Sequence, residues 1–226
     1  MLRNLLSTLS YNDEAYNLRI LLRVFIMFIR GFLKTIFSKG RYCYPLFFSK
    51  NVQIVGNRSN LIIGKMVKIE SNAVIHADSV KGIVINNGCT IGSGTSIRPS
   101  GFYGGNKGEG LVLGRNSAIG INSFIGCSGF IKIGEDVIVG PNLTMIAENH
   151  VFSDRNIPIK HQGVSIGAIT IEDNVWIGCN VTILSNVTIG SGSVIAAGSI
   201  VNKSFPPNSL IAGVPAKLVR EIQSNE

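Results

Sequence analysis

The chain has 226 residues and a formal charge of +8, from 21 Lys and Arg against 13 Asp and Glu. Apolar residues make up 45% and charged residues only 15%, which excludes intrinsic disorder and leaves length for one domain of ordinary size plus an appendage. The excess of cations invites an anionic partner, and where those cations lie narrows the choice.

The first 50 residues hold eight cations (Arg3, Arg19, Arg23, Arg30, Lys34, Lys39, Arg41, Lys50) and two acids (Asp13, Glu14), a net +6. The other 176 hold 13 cations and 11 acids, a net +2. Basic residues spread over a folded face with interleaved aromatics are missing, so nucleic acid drops out as a partner. Residues 17–37 carry Leu18, Leu21, Leu22, Phe25, Ile29, Phe32, Leu33 and Ile36 at helical spacing, with Arg19, Arg23, Arg30 and Lys34 in one basic stripe and Gly31 as a candidate kink. Two readings stay open for this helix: peripheral contact with an anionic membrane leaflet, or a cap over the open apolar end of the domain that follows. It is too often interrupted by Arg to be a secretory signal or to supply the ~20 apolar residues of a membrane span. Cys43, Cys89, Cys127 and Cys179 form no CxxC pair, so neither a zinc site nor a redox motif is expected. The chain reads as cytoplasmic with reduced thiols, with the inner face of the cytoplasmic membrane as the place where the front helix would take it.

From Ile63 the sequence breaks into hexapeptides, such as IGKMVK, IESNAV and IHADSV, and later IEDNVW, IGCNVT and ILSNVT. Eighteen hexads fall at 63–80, 85–102, 113–130, 133–150, 171–188 and 189–206, and each begins with Ile, Leu, Val or Met. Those four types account for 71 of 226 residues, so chance agreement is on the order of one in a billion. Six residues make one short strand and a turn. The first side chain points into a narrow core, the second position is Gly in nine hexads, as a sharp left-handed corner would want, and the fifth is small. Three hexads make a triangular coil, and stacked coils bury one another's open ends. The breaks in phase, at 81–84, 103–112, 131–132 and 151–170, each follow a multiple of three hexads, so all insertions leave from one edge of the prism, the edge where repeat proteins tend to carry function. The chain thus divides into a basic, helical segment at 1–50 and a repeat domain at 51–226.

These hexads resemble those of the hexapeptide-repeat acyltransferases over roughly residues 52–222, most specifically from IGEDVIVGPNLTMIAENH through IEDNVWIGCNV to GVPAKLVREI. The resemblance implies an all-β solenoid, a left-handed parallel β-helix of about six triangular coils with an N-terminal helix and a short C-terminal tail. The coiling sense comes from the resemblance alone, since general crossover handedness points the other way. It also implies a homotrimer with active sites between subunits, which moves an acetyl group from acetyl-CoA to a hydroxyl without a metal. The spacing of His76, His150 and His161 is unlike the three-His zinc set of the carbonic-anhydrase branch.

His150 ends the fourth hexad coil, where the 20-residue insertion departs. In the family a His at that place is the general base, a role that suits a group titrating near neutrality. Glu148, two residues earlier on the same strand side, either orients the imidazole or is a solvated acid. Asp154 is a second candidate for orienting His150 or meeting the acceptor. His76 reads as a turn residue, and His161 as a loop residue or a phosphate contact. Trp176, the only tryptophan, should point outward, against the acceptor or pantetheine or as a trimer anchor. Family positions carried onto this sequence place Cys179 and Ala197 along the pantetheine arm, Asn202 and Lys203 near the nucleotide, and Lys217 and Arg220 on phosphate. The acceptor-binding Asn of sugar-acetylating members aligns with Gly120, and Asn122 lies two residues on. The implied activity is O-acetylation of a sugar hydroxyl in a bacterial surface polysaccharide or its precursor. The alternatives are acetylation of a small molecule (amino acid, antibiotic or free sugar) and a non-catalytic trimeric scaffold.

Overall fold

The computed structural model describes residues 14–99 and 107–223. Among the described residues one α-helix, α1 (Glu14–Thr35), precedes 25 strands, most of two or three residues. The first coil comprises β1 (Arg41–Tyr42), β2 (Leu46–Phe48) and β3 (Gln53–Val55); the second, β4 (Leu61–Ile63), β5 (Val67–Ile69) and β6 (Val74–His76). Next come β7 (Ile83–Ile85), β8 (Thr90–Ile91) and β9 (Ser96–Arg98), then β10 (Leu111–Leu113), β11 (Ala118–Ile119) and β12 (Phe124–Gly126), then β13 (Ile131–Ile133), β14 (Ile138–Val139) and β15 (Thr144–Ile146). A hairpin, β16 (Glu148–His150) and β17 (Val164–Ile166), interrupts the stack. The last two coils are β18 (Ile169–Ile171), β19 (Trp176–Ile177) and β20 (Thr182–Leu184), then β21 (Val187–Ile189), β22 (Val194–Ile195) and β23 (Ile200–Val201), followed by β24 (Ser209–Gly213) and β25 (Ala216–Glu221).

Every third strand stacks on the same face. The faces are sheets of seven, nine and seven strands, parallel throughout except where β25 turns back along β24. The fold is the left-handed parallel β-helix. Its register follows the hexads, because Ile63, Ile85, Leu113, Ile133, Ile171 and Ile189 lie one above another on the first face. All eighteen first-position side chains are buried, none more than 5% exposed. At about 1.5–3 kcal/mol for each buried side chain of this size, that column is the main stabilising term. The small fifth positions also face inward, with Ala73, Ser117, Ser123, Ser193 and Ser199 at 2% exposure or less.

Three local expectations change. A complete coil precedes Ile63, so the β-helix begins within the first 50 residues; Leu46 and Phe48 are wholly buried there, in a stretch too irregular to show the hexad phase. Ile83, Leu111, Ile131 and Ile169, which the phase assigned to insertions, are buried strand residues at 0% exposure, so the added chain lies just before them. The insertions still leave from the edge between the third and first faces, as expected. The first residues of the insertion at 103–112 lie outside the described residues. The second-position glycines do not supply the left-handed backbone. That falls to the fourth position, where Asn72, Asn116, Asn142 and Asn180 have φ of 55–61°, a conformation Asn tolerates. The second-position glycines allow coils to approach: a Cβ on Gly114 would sit 2.2 Å from the Gly134 carbonyl oxygen.

Helix α1 lies across the exposed edge of β2. Met27 is buried, Phe28 meets Phe47 with ring centroids 6.5 Å apart, and the Thr35 hydroxyl bonds that of Tyr44 at 2.8 Å. Lys34 Nζ donates to the Val52 carbonyl. The helix continues through Gly31, where a Cβ would stand 2.5 Å from the Leu46 carbonyl oxygen. Glycine here serves close packing on β2, and the inner helix face caps the apolar end of the coil stack.

Candidate active site

The insertion after β15 contains the antiparallel hairpin β16–β17, with His150 opposite Val164 and Glu148 opposite Ile166. A two-stranded ladder rather than an open loop therefore carries His150 away from the prism. Asn149 Nδ2 donates to Ser185 Oγ at 2.6 Å, tying the base of the hairpin to the turn after β20. An open cavity of about 660 Å³ is lined by Asn149, His150, Val151, Phe152, Ser153 and Ser165. The His150 side chain is exposed, and among the described residues its imidazole makes no hydrogen bond.

Glu148 is half-buried on the same strand side as His150, and no hydrogen bond joins the two. Asp154 is committed to the hairpin tip. Its carboxylate accepts from the Asn156 amide at 2.8 Å, and its backbone exchanges bonds with the Gln162 side chain at 3.0 and 2.7 Å. That closed turn gives Asp154 no bond to His150. His161 sits in an exposed 3-10 turn beside it.

Trp176 stands on the second face between Ile138 and Val194 and is 57% exposed. It does not line the His150 cavity. The two residues lie on different parts of one prism. Asn122, Cys179 and Ala197 share the edge between the second and third faces. Gly198 N bonds the Cys179 carbonyl at 2.9 Å, which stacks Ala197 beside Cys179 in successive coils. Asn122 has φ of 54° and serves as one of the left-handed turn residues. Asn202 and Lys203 follow β23 at the opposite edge, and Lys203 Nζ lies 5.6 Å from the centre of the Phe205 ring. Lys217 and Arg220 are exposed on β25, paired with Ala212 and Leu210 of β24. The structure thus brings Cys179 and Ala197 together, and separately Lys217 and Arg220. It does not gather all six on one face of a single chain.

Two other thiols are shaped by burial. The low-dielectric core pushes Cys89 up to about 11 and Cys127 up to about 12, so neither is a nucleophile at neutral pH. His76 is held below its ordinary value, first by burial and then by the Arg98 charge, against an opposing pull from Asp78. It sits on β6 opposite Val55, a strand position rather than the turn expected.

Residues 168–203 match the family described as bacterial transferase hexapeptide (six repeats), and residues 66–99 match the hexapeptide repeat of succinyl-transferase. Two separate stretches of the chain thus match hexapeptide-repeat transferase families. Among curated relatives of this hexapeptide-repeat protein, the galactoside O-acetyltransferase of Escherichia coli is 37% identical over 142 residues, 61% of this chain and 66% of the relative. A putative acetyltransferase of Staphylococcus haemolyticus is 64% identical over 58 residues, 26% of this chain and 30% of the relative. The chain therefore spans just under two thirds of the first and under a third of the second. Among solved structures, the N-acyltransferase AntD from Bacillus cereus, in complex with dTDP and 3-hydroxybutyryl-CoA, shares the fold at 20% identity and a TM-score of 0.54, covering 86% of this chain and 88% of that one.

Sequence reasoning passed over Asn149, Phe152 and Ser165, which line the cavity with His150. The insertion has no hexad phase, so its pairing was hidden. The one available signal was the alternation in ENH, which sets Asn149 opposite in direction to its two neighbours.

Proposed function

We propose that this protein transfers the acetyl group of acetyl-CoA to a sugar hydroxyl of a bacterial surface polysaccharide or its precursor, in the cytoplasm and as a homotrimer. The observation that carries the reading is the exposed, unbonded His150 at the outer end of the hairpin ladder, lining the cavity of about 660 Å³. The likeness to the galactoside enzyme supports the donor and the acceptor class.

In this mechanism the imidazole accepts the hydroxyl proton as the acceptor oxygen attacks the thioester carbonyl. The tetrahedral intermediate then collapses, the C–S bond breaks, and the imidazolium returns its proton to the departing thiolate. Glu148 steadies the imidazolium across the strand face by charge rather than by direct bonding. Trp176 of a neighbouring subunit closes the cavity over acceptor and pantetheine. Cys179 and Ala197 line the arm, Asn202 and Lys203 meet the cofactor near its nucleotide, and Lys217 and Arg220 meet its phosphates. Asn122 and Asp154 lie at the margins of the acceptor path, both held by local turn geometry.

The test reads thiol release from acetyl-CoA across a panel of polysaccharide repeat units, free sugars and amino acids, with trimer formation followed by sedimentation. His150→Ala should lower turnover by about 10²–10⁴-fold with an unchanged circular dichroism spectrum. Turnover at the parent rate overturns the mechanism. Preference for a free amino acid overturns the acceptor class while leaving the chemistry in place.

A further inference from the structure

We propose that the outward face of α1, with the base of the first coil, is a docking surface for an anionic lipid bilayer, the helix lying in the headgroup plane. The inner face of the helix is already used: Met27, Gly31 and Thr35 are buried against the coil stack. Opposite them run Leu18, Leu22, Phe25, Ile29 and Leu33, from 37% to 67% exposed. Spacings of three and four make them one continuous apolar stripe on the side facing away from the protein. A stripe of that length in water is costly unless something covers it.

Charge identifies the cover. Arg19, Arg23 and Arg30 flank the stripe and, among the described residues, make no hydrogen bond or ion pair. With Leu22 and Ile26 they line a hollow of about 250 Å³ whose lining has cations and aliphatic carbons but no acid. That is the chemistry of a phosphate headgroup above an acyl chain. Lys39, Arg41 and Lys50 are exposed at the same end of the prism, and Glu14, at the start of the helix, is its only acid. No described helix is long and apolar enough to cross a membrane, so the helix would lie on the surface rather than span it. A second copy of this face would bring like charge against like charge. A nucleic acid would leave the apolar stripe uncovered.

Flotation of the full-length protein with vesicles tests this without acetyl-CoA, so its outcome is separable from the proposed chemistry. The protein should float with phosphatidylcholine vesicles containing phosphatidylglycerol, remain behind with phosphatidylcholine alone, and be released as salt rises. Arg19→Gln, Arg23→Gln and Arg30→Gln together should lower partitioning by about a hundredfold, at roughly fivefold for each cation. Phe25→Ser with Leu33→Ser should lower it as well, and both variants should keep the parent's unfolding temperature because all five side chains are exposed. The proposal is overturned by any of three results: no flotation with anionic vesicles, equal flotation with neutral ones, or parental flotation of the triple variant. It also fails if the serine variant dissociates a larger oligomer while neither protein floats, which would assign the stripe to another copy of the chain.

Discussion

Asn149 Nδ2 donates to Ser185 Oγ at 2.6 Å across 36 residues of sequence. The bond joins the strand that ends in His150 to the next coil of the β-helix, at a serine only 9% exposed. Since neighbours on a strand point in opposite directions, pinning Asn149 also sets where Glu148 and His150 point. The base of the hairpin is thereby fixed to the rigid stack while its tip remains an exposed turn.

Asn149→Ala and Ser185→Ala should each cost about 1 kcal/mol of stability and lower acetyl transfer by roughly tenfold, short of the loss on removing a general base. The double variant should be no worse than either single one, the signature of one shared interaction. Ser185→Thr, which keeps the hydroxyl, should restore most of the turnover. Additive losses in the double variant would show that the two residues act separately.

The glycine ladder makes a stability prediction that separates two kinds of glycine. A Cβ on Gly178 would lie 2.6 Å from the Ala197 amide nitrogen and 2.9 Å from its Cα, both backbone atoms of the coil above. Gly178→Ala must push two coils apart and should cost about 1–3 kcal/mol, read as a lowered unfolding temperature. Gly198 has φ of 73° and open space around it, at the hexad position where Asn180 stands one coil below. Gly198→Asn should change stability by no more than about 0.5 kcal/mol.

The same comparison explains what was legible in the sequence. The core column was readable because each first-position residue needs an aliphatic side chain, and that demand repeats every six residues. The insertion edge followed from phase. The reason for the glycines was not readable, because left-handed backbone and close coil contact both select glycine and only coordinates distinguish them. The first coil was hidden where Tyr42, Leu46, Phe48 and Val52 fill the same space with side chains of other sizes. His150 was found through its place at the insertion. Asn149 and Ser185 were not, since no periodicity links residues that meet only through a hairpin.

His76 gives a pH dependence with a definite sign. Burial, followed by the Arg98 charge, holds its folded value below the ordinary 6.5. As pH falls below that value the unfolded chain takes up the proton first, so stability declines with falling pH and is complete above it. Denaturant unfolding on the two sides of this range should show a lower midpoint on the acid side. His76→Gln should flatten that part of the profile, and an unchanged slope would assign the effect to other groups.

Thiol reactivity tests the placement of the coenzyme arm. Cys89 and Cys127 are fully buried, with values pushed up to about 11 and about 12. An alkylating reagent attacks thiolate, so both should stay unmodified until the protein unfolds. Cys43 is exposed and Cys179 half-buried, so the native protein should be labelled at these two, Cys43 first. Acetyl-CoA, whose own sulfur is blocked, should slow labelling of Cys179 in the His150→Ala variant, where turnover is suppressed. Cys43 lies at the far end of the prism beside β1 and serves as the internal control. Protection of Cys179 alone supports an arm that runs along the edge shared with Ala197. Equal rates at both thiols with and without acetyl-CoA would move the arm off that edge, and Cys179 and Ala197 would then be left with only their roles in stacking the coils.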